Sequence, residues 1–280
     1  MDHDVALEGE LHPYYVLDVF TDTPLEGNQL GLFPEGEAVP ADRMQRVARE
    51  LNVSETIFLL PAEADGDVRV RIFTPSTELP FAGHPVLGAG VFVGAALGRN
   101  EVSLETGNGT VALRLDGSFG WMTQPAFANA PYERADELLA ALGLTESLLP
   151  VEVYENGPRH VYVQLPSEDA VAGLKPDLGA LAGHERAGIN CFAGSGTRWK
   201  TRMFGPPLGM AEDPATGSAA GPLAVHLGRY GLVPWGTEIE ISQGVEIGRP
   251  SKLHARADSE DKAEVGGSAV VVARGHYRVA

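Results

Sequence analysis

The sequence predicts an α/β (α+β) protein built from two similar domains, each a β-sheet wrapped around a central apolar helix. Segments rich in β-branched and aromatic residues, which are typical of strands, recur along the chain. Two further segments, 84–98 and 219–231, are apolar on almost every side, which is typical of helices buried inside a domain. The sequence around the first of these helices recurs around the second, and this indicates a duplicated unit.

The repeated element is a Glu-x-Pro-x-x-Gly motif that stands directly before each apolar segment. It lies in RIFTPSTELPFAGHPVLGAG (71–90) and again in RMFGPPLGMAEDPATGSAAGP (202–222). We therefore predict one domain at 1–126 and a second at 127–280, with the last strand allowed to return to the first domain. Prolines and small residues at 123–133 break the pattern between the two.

The strands follow from local patterns of residue type. Single strands are predicted at 13–20, 55–60 and 67–73. Alternating runs around an Asn-Gly dipeptide predict two β-hairpins, at 101–115 around Asn108-Gly109 and at 151–165 around Asn156-Gly157.

Helices are fewer than strands. Residues 41–51 place Met44, Val47, Ala48 and Leu51 on one face at helical spacing. Residues 135–143 end on a glycine, as helices often do. The apolar segments 84–98 and 219–231 supply the two central helices.

Composition and charge exclude several classes of protein. A formal net charge of −17 and a pI near 4.8 argue against nucleic acid or an anionic membrane surface as a partner. The longest apolar run, 86–98, is too short to span a bilayer. The acidic start at 1–13 lacks the basic and apolar regions of a signal peptide. We therefore expect a cytoplasmic protein that acts on a small-molecule substrate.

Thiol, metal and nucleotide chemistry have no motif in this sequence. Cys191 is the only cysteine, which excludes an intrachain disulfide, a zinc-thiolate cluster and a two-thiol catalytic pair. There is no dinucleotide-binding fingerprint, P-loop or nucleophile elbow, and no spacing of His, Cys and Asp indicates a metal site. Of the types of catalysis considered, acid–base chemistry without a cofactor is the one that this sequence predicts.

The two central helices are predicted to begin at Gly83-His84 and Gly217-Ser218. The first turn of a helix has unpaired N–H groups and a partial positive charge of roughly half an electron. Two such helix starts that face each other across an interdomain cleft would bind a carboxylate. Glycine at both starts lets the backbone come close to that anion.

Each polar residue near these helix starts has a structural interpretation beside the functional one. Ser218 is either a helix cap or a substrate-binding hydroxyl. His84 is either a buried, hydrogen-bonded histidine or a proton carrier, because the ordinary pKa of histidine is about 6.5. Asp213 either balances the helix dipole or binds a substrate ammonium or hydroxyl group and passes protons with His84. Glu78 and Glu212 are interpreted as mainly structural.

Glu55 and Asn28 are weaker candidates. Glu55, in ELNVSETIF, lies where a helix gives way to a strand, and it is one carboxylate among 38. A glutamate held beside the apolar Ile57 and Phe58 would have a raised pKa and would suit acid–base work, but sequence alone does not single it out. Asn28, in the loop EGNQLG, is either a turn residue or a hydrogen-bond donor.

Together these motifs resemble those of the PhzF-type phenazine-biosynthesis isomerases, which have the diaminopimelate epimerase-like fold. The resemblance covers nearly the whole chain, from 18 to 251. It rests on ELNVSETIF (50–58), RIFTPSTELPFAGHPVLG (71–88), NGPRHVYV (156–163), INCFAGSG (189–196) and EDPATGSAAGPLAVHL (212–227).

The resemblance implies an active site in the cleft between two similar domains, a homodimer, and no metal or cofactor. It also implies the isomerisation of trans-2,3-dihydro-3-hydroxyanthranilic acid. Glu55 would move a proton from C3 to C1 of this substrate, and His84 and Asp213 would assist proton movement. The resemblance further implies a set of substrate-binding residues: Asn28, Ser54, Gly83, Gly217 and Ser218.

One departure separates this chain from the racemases and epimerases that the same fold contains. Those proteins resemble it in layout but use two cysteines, one at each helix start. Here Ala82 and Thr216 hold those places, and neither can act as a thiol base. A single-carboxylate proton shuttle is therefore favoured over a two-base racemase. Two alternatives stay open: an isomerase of another small hydroxy or amino acid, and a non-catalytic binding protein.

Overall fold

Strands make up most of the secondary structure in the computed structural model, which describes residues 10–124 and 126–279. The elements of the first half of the chain are β1 (Leu11–Val19), β2 (Asn28–Phe33), α1 (Ala41–Leu51), β3 (Glu55–Leu60), β4 (Val68–Phe73), β5 (Glu78–Leu79), α2 (Gly83–Leu97), β6 (Glu101–Thr106), β7 (Gly109–Asp116) and β8 (Phe119–Thr123). The N-terminal part of the acidic start, 1–9, and Pro125 of the predicted boundary lie outside the described residues.

The second half continues with strands and four helices among the described residues. Its elements are β9 (Ala128–Pro131), α3 (Ala135–Leu142), β10 (Glu152–Glu155), β11 (Arg159–Gln164), α4 (Glu168–Ala172), α5 (Leu178–Ala182), β12 (Gly188–Ser195), β13 (Arg198–Phe204), β14 (Glu212–Asp213), α6 (Gly217–Arg229), β15 (Glu238–Gln243), β16 (Ser251–Ser259) and β17 (Lys262–Arg278).

The predicted helices lie close to where their patterns place them. α1, α2, α3 and α6 begin and end within two residues of the predicted bounds. The short helices α4 and α5 were missed, although each has a polar N-cap whose side chain accepts a backbone hydrogen bond, Ser167 and Asp177.

Both predicted hairpins form, with turns that differ slightly from the prediction. Thr106 pairs with Gly109, so the first turn is Gly107-Asn108 and Gly109 already belongs to β7. In the second hairpin Glu155 pairs with Arg159, which leaves a three-residue loop at 156–158. Pro158 has no N–H to continue the ladder, and the Asn156 N–H donates to its carbonyl oxygen instead.

The last strand connects the two halves of the chain. β17 pairs antiparallel with β16 of the second half and with β8 and β1 of the first half. Its pairing with β1 runs from Leu11↔Arg278 to Val19↔Ala269. The sheets of both halves are therefore joined through this strand, while the division of the chain into domains at 126/127 stays a prediction.

The central helices α2 and α6 lie in the largest hydrophobic cluster of the described residues. α2 packs on β1, β6, β8 and β17, and α6 packs on β16 and β17. Small residues let the strands approach α2 closely: a Cβ atom on Gly88 would lie 2.8 Å from side-chain atoms of both Val19 and Leu30. Sheet packing on several sides therefore holds both helices in place.

The duplicated motif forms the same structure in both halves. β5 pairs with the end of β4, and β14 pairs with the end of β13. In the first copy Arg71 donates to both carboxylate oxygens of Glu78, at 2.7 and 2.8 Å. In the second, Arg202 donates to both oxygens of Glu212, at 2.9 and 2.7 Å. These ion pairs agree with the structural interpretation of the two glutamates.

Candidate active site

The starts of α2 and α6 lie against each other. α2 begins at Gly83 after Ala82, α6 begins at Gly217 after Thr216, and no side chain caps either helix. A Cβ atom on Gly83 would lie 2.6 Å from the backbone N of Ser218, so glycine is required for this approach. The prediction of two facing helix starts is confirmed, and both starts line one cavity.

A cavity of about 530 Å³ opens at this junction, a size that suits a small-molecule ligand. Residues of both halves line it, including the predicted Glu55, Gly83, His84, Asp213, Gly217 and Ser218, together with His160. Two predicted residues do not line it. Asn28 is fully buried behind Asp213, and Ser54 is half-buried at the approach to β3.

Glu55 is the first residue of β3 and is largely buried. It lies there because α1 ends at Leu51 and the next residue, Asn52, has a left-handed backbone (φ 52°) that turns the chain toward the strand. Burial, and secondly the charge of Asp213, raise the pKa of Glu55 well above its ordinary value. A carboxyl group with a raised pKa can both accept and return a proton near neutral pH.

His84 is in direct contact with Glu55. Its Nε2 lies 3.3 Å from Glu55 Oε2 and 3.3 Å from the carbonyl oxygen of Gln29. Because that carbonyl can only accept, Nε2 carries the hydrogen of the neutral ring. Burial lowers the pKa of His84 to about 3, so the ring is neutral at physiological pH. The single N–H of His84 therefore donates to the Gln29 carbonyl oxygen, and Nε2 lies beside the carboxyl group of Glu55.

Asp213 is held by hydrogen bonds on both of its carboxylate oxygens. Asn28 Nδ2 donates to Oδ1 at 2.9 Å, and Thr216 Oγ1 donates to Oδ2 at 2.6 Å. Burial raises the pKa of Asp213 to about 6, although these two donors favour the charged form. Leu79 holds the equivalent position of the first repeat, so only the second repeat has a carboxyl group at this position.

Gln243, at the end of β15, supports Asp213 from behind. Its Nε2 donates to the carbonyl oxygen of Asp213 at 2.9 Å and to Thr216 Oγ1 at 3.0 Å. Because Nε2 donates to the Thr216 hydroxyl, the hydrogen of that hydroxyl is left to donate to Asp213. Sequence reasoning missed Gln243, since it lies 30 residues from Asp213 along the chain. Its one signal was its place in QGVEIGRPS (243–251), the last segment covered by the resemblance to the PhzF-type isomerases.

Ser218 is not a helix cap, and that alternative is wrong. Its hydroxyl lies in the first turn of α6, 2.9 Å from Nε2 of His160, which belongs to β11. The hydroxyl therefore lies on the cavity wall instead of closing the end of the helix. His160 was also missed, because the pattern of NGPRHVYV indicates a hairpin and gives no role to any of its side chains.

The arrangement combines an anion site with acid–base groups. The converging helix starts can bind a carboxylate, while Glu55, His84 and Asp213 can exchange protons with the bound molecule. Within 10–124 and 126–279, no three His, Cys, Asp or Glu side chains converge as metal ligands would. None of the helices in these ranges is long and apolar enough to cross a membrane.

Substitution of Thr216 by Val is expected to lower the free energy of unfolding by about 1.5–3 kcal/mol at pH 8, the range for hydrogen bonds to charged groups. The change removes the 2.6 Å donor to Asp213 but keeps the side-chain shape. The loss should shrink at pH 5, where Asp213 is largely protonated. Urea unfolding at both pH values tests this. Thr201→Val is the control, because the Thr201 hydroxyl donates only to Gln243; an equal pH dependence in both variants would contradict the prediction.

Substitution of Asp213 by Asn is expected to change how stability depends on pH. The raised pKa of Asp213 stabilises the fold below pH 3.8, and this contribution is lost as the pH rises through about 6. An asparagine side chain cannot ionise, so the variant does not lose this stability as the pH rises. Its free energy of unfolding relative to that of the wild type should therefore increase by about 3 kcal/mol between pH 3.5 and pH 7. Denaturant titrations across this range measure it. Asp65→Asn, the same change at an exposed position, is the control; a flat difference for Asp213→Asn would refute the assignment.

Comparison with known proteins gives matches over almost the whole chain. The family model described as "Phenazine biosynthesis-like protein" (PhzC-PhzF) matches residues 17–275. The trans-2,3-dihydro-3-hydroxyanthranilate isomerase of Pseudomonas fluorescens is 48% identical over 274 residues, which is 95% of this chain and 99% of that relative.

Solved structures show the same fold. A Bacillus anthracis phenazine biosynthesis protein of the PhzF family has a TM-score of 0.84 at 23% identity, over 96% of this chain and 99% of that one. A hydroxyproline epimerase from Agrobacterium vitis has a TM-score of 0.65 at 13% identity, over 97% and 93% of the two chains. The predicted diaminopimelate epimerase-like fold class is confirmed.

Proposed function

The chain belongs to the PhzC-PhzF family of phenazine biosynthesis-like proteins and is an isomerase, and we propose that it converts trans-2,3-dihydro-3-hydroxyanthranilic acid to its amino-ketone isomer. One observation carries the proposal: a carboxyl group with a raised pKa, Glu55, lies in one cavity with two converging helix starts. The first is a base for a carbon acid, and the second is a site for the substrate carboxylate.

The reaction moves one proton and no net electrons. Glu55 takes the proton from C3, and the electron pair of that C–H bond forms the C3=C4 double bond. The C4=C5 pair shifts to C5=C6, and the C6=C1 pair forms the new bond to hydrogen at C1, where Glu55 returns the proton. The product of this step is an enol at C3, which becomes a ketone by protonation at C4 and loss of the hydroxyl proton.

The raised pKa of Glu55 suits both halves of this transfer. Proton transfer is most efficient when the pKa of the catalytic group lies near the operating pH, and an ordinary glutamate is too weak a base. His84 Nε2 lies 3.3 Å from Glu55 Oε2, so the neutral imidazole is in contact with the carboxyl group during the transfer. His84 and Asp213 are then the groups that serve the tautomerisation, because both reach the same cavity.

The substrate carboxylate is assigned to the first-turn N–H groups near Gly83 and Gly217 and to the hydroxyl of Ser218. These groups come from both halves of the chain and meet at one place, which supports the assignment. The substrate amine is assigned to the side of Asp213. Asn28 would act through Asp213, since its amide donates to that carboxylate.

A proton NMR time course with trans-2,3-dihydro-3-hydroxyanthranilic acid tests the proposal. Rapid loss of the substrate signals with the wild-type protein is the expected result. A panel of other small hydroxy and amino acids is run in parallel. Loss of one of these, with the dihydro acid unchanged, would replace the proposed substrate and keep the isomerase assignment.

We also infer a cytoplasmic homodimer. Two observations support the cytoplasm: the single cysteine, Cys191, is buried, and the acidic composition is typical of a protein that stays dissolved at high concentration. The homodimer is what the resemblance to the PhzF-type isomerases implies. Light scattering coupled to size-exclusion chromatography should give twice the 29.7 kDa chain mass. A single-chain mass at micromolar concentration would contradict the dimer.

A further inference from the structure

His160 lines the active-site cavity and has no role in the proton transfer described above. It belongs to β11 and is 2% exposed. Its Nε2 lies 2.9 Å from Ser218 Oγ, while its Nδ1 has no hydrogen-bond partner among the described residues. Nδ1 instead faces Gly188: a Cβ atom there would lie 3.0 Å from it. The imidazole therefore fits closely between β12 and the first turn of α6.

The unpartnered Nδ1 determines which nitrogen of the neutral ring carries the hydrogen. A buried N–H group without an acceptor is a rarer defect in proteins than an acceptor without a donor. Nδ1 is thus the bare nitrogen and Nε2 carries the hydrogen. Burial lowers the pKa of His160 to about 3, so this neutral form holds across the physiological range.

This tautomer sets the direction of the Ser218 hydroxyl. Nε2–H donates to Ser218 Oγ, so the hydroxyl hydrogen cannot be given to His160. Other groups fix the backbone of the same turn: Asn156 Nδ2 donates to the Ser218 carbonyl oxygen at 2.9 Å, and Gln124 Nε2 donates to the Gly217 carbonyl oxygen at 2.8 Å. With its oxygen occupied on one side, Ser218 has its hydrogen free for a ligand in the cavity.

We propose that His160 is a positioning residue that orients the Ser218 hydroxyl so that its hydrogen donates to the substrate carboxylate. The proposal rests on the proposed function, which brings a carboxylate to this helix start. It assigns His160 to substrate anchoring, whereas His84, on the other central helix, contacts the proton-carrying Glu55.

Two variants with the same chemistry but different reach provide the test. In His160→Gln an amide N–H group can take the place of Nε2–H, whereas the shorter side chain of His160→Asn cannot reach Ser218. The ligands are 3-hydroxyanthranilate, which has the carboxylate, and 2-aminophenol, which lacks it. Dissociation constants are measured by calorimetry on the wild type, on both variants, on Ser218→Ala and, for 3-hydroxyanthranilate, on the double variant Ser218→Ala/His160→Asn.

We expect His160→Asn to weaken 3-hydroxyanthranilate binding roughly tenfold or more, as loss of a hydrogen bond to a charged group does. His160→Gln should retain most of the affinity, and 2-aminophenol should bind all four proteins alike. Adding His160→Asn to Ser218→Ala should cause no further loss, because the two residues act through one hydroxyl group.

The possible failures separate the two proposals. Equal weakening of both ligands by His160→Asn, or a further loss in the Ser218→Ala background, would overturn the role of His160. If the variants behave as expected but the wild type does not turn over the dihydro acid, only the proposed substrate is wrong. No binding of 3-hydroxyanthranilate to a wild type that turns over the dihydro acid would overturn the anchoring role of His160 and leave the proposed substrate standing.

Discussion

Substitution of Glu55 by Gln is expected to reduce turnover of the dihydro acid by about 10³–10⁴-fold, near the upper end of what a general acid–base group contributes. The amide has the same shape but cannot take a proton from carbon. The fold should be at least as stable at pH 8, because a buried carboxylate that resists ionisation is removed. Initial rates followed by NMR, with thermal unfolding beside them, measure both effects.

Glu155→Gln is the matched control, since Glu155 lines the same cavity at its exposed rim. It should retain most of the wild-type rate. Turnover in Glu55→Gln within about tenfold of the wild type would remove Glu55 from the mechanism, because a positioned acid–base group contributes at least about 10²-fold. Such a result would direct attention to Asp213, the other carboxyl group in the cavity with a raised pKa.

Substitution of Gly83 by Ala is expected to cause the second large effect, on both stability and turnover. The new Cβ atom would lie 2.6 Å from Ser218 N and 2.8 Å from the carbonyl carbon of Gly217. Both are backbone atoms of a buried helix start and cannot move aside as the end of a side chain can. The two helix starts must separate, which costs about 1–3 kcal/mol of stability and opens the carboxylate site.

Urea unfolding and the KM for the dihydro acid test this prediction together. Gly179→Ala is the control, because Gly179 lies in the short helix α5 and the nearest neighbour of an added Cβ is a side-chain oxygen of Asp177 at 3.3 Å. That variant should unfold and turn over substrate as the wild type does. A Gly83→Ala protein with unchanged stability and KM would show that the helix starts do not need their close contact.

The parts of the fold that depend on local pattern could be predicted from the sequence. The two central helices are evident because they are apolar all round, and the repeated Glu-x-Pro-x-x-Gly motif fixes where both begin. Gly83 and Gly217 were therefore found from the residues alone. The one-residue shift of the first hairpin turn escaped prediction, because Gly107 offered a second glycine that could begin the turn.

The parts of the site that depend on tertiary contact could not be predicted in this way. Glu55 gains its raised pKa from burial and from Asp213, which is far away in sequence. Only the resemblance to a known family drew attention to Glu55. His160 and Ser218 are separated by 58 residues, and no local spacing links them. Residues that act through others, such as Gln243, leave even less signal, since each of their hydrogen bonds crosses between elements.

The central claim is that one carboxylate, Glu55, carries the proton from C3 to C1. A substrate with deuterium at C3 tests it most directly: the wild-type protein converts this substrate in ordinary water, and the product is analysed by NMR and mass spectrometry at early times. Because the carboxyl group is largely shielded from solvent, we predict that a measurable share of the deuterium appears at C1. A C1 position filled only with hydrogen from water, from the first turnover onward, would contradict a single-carboxylate transfer.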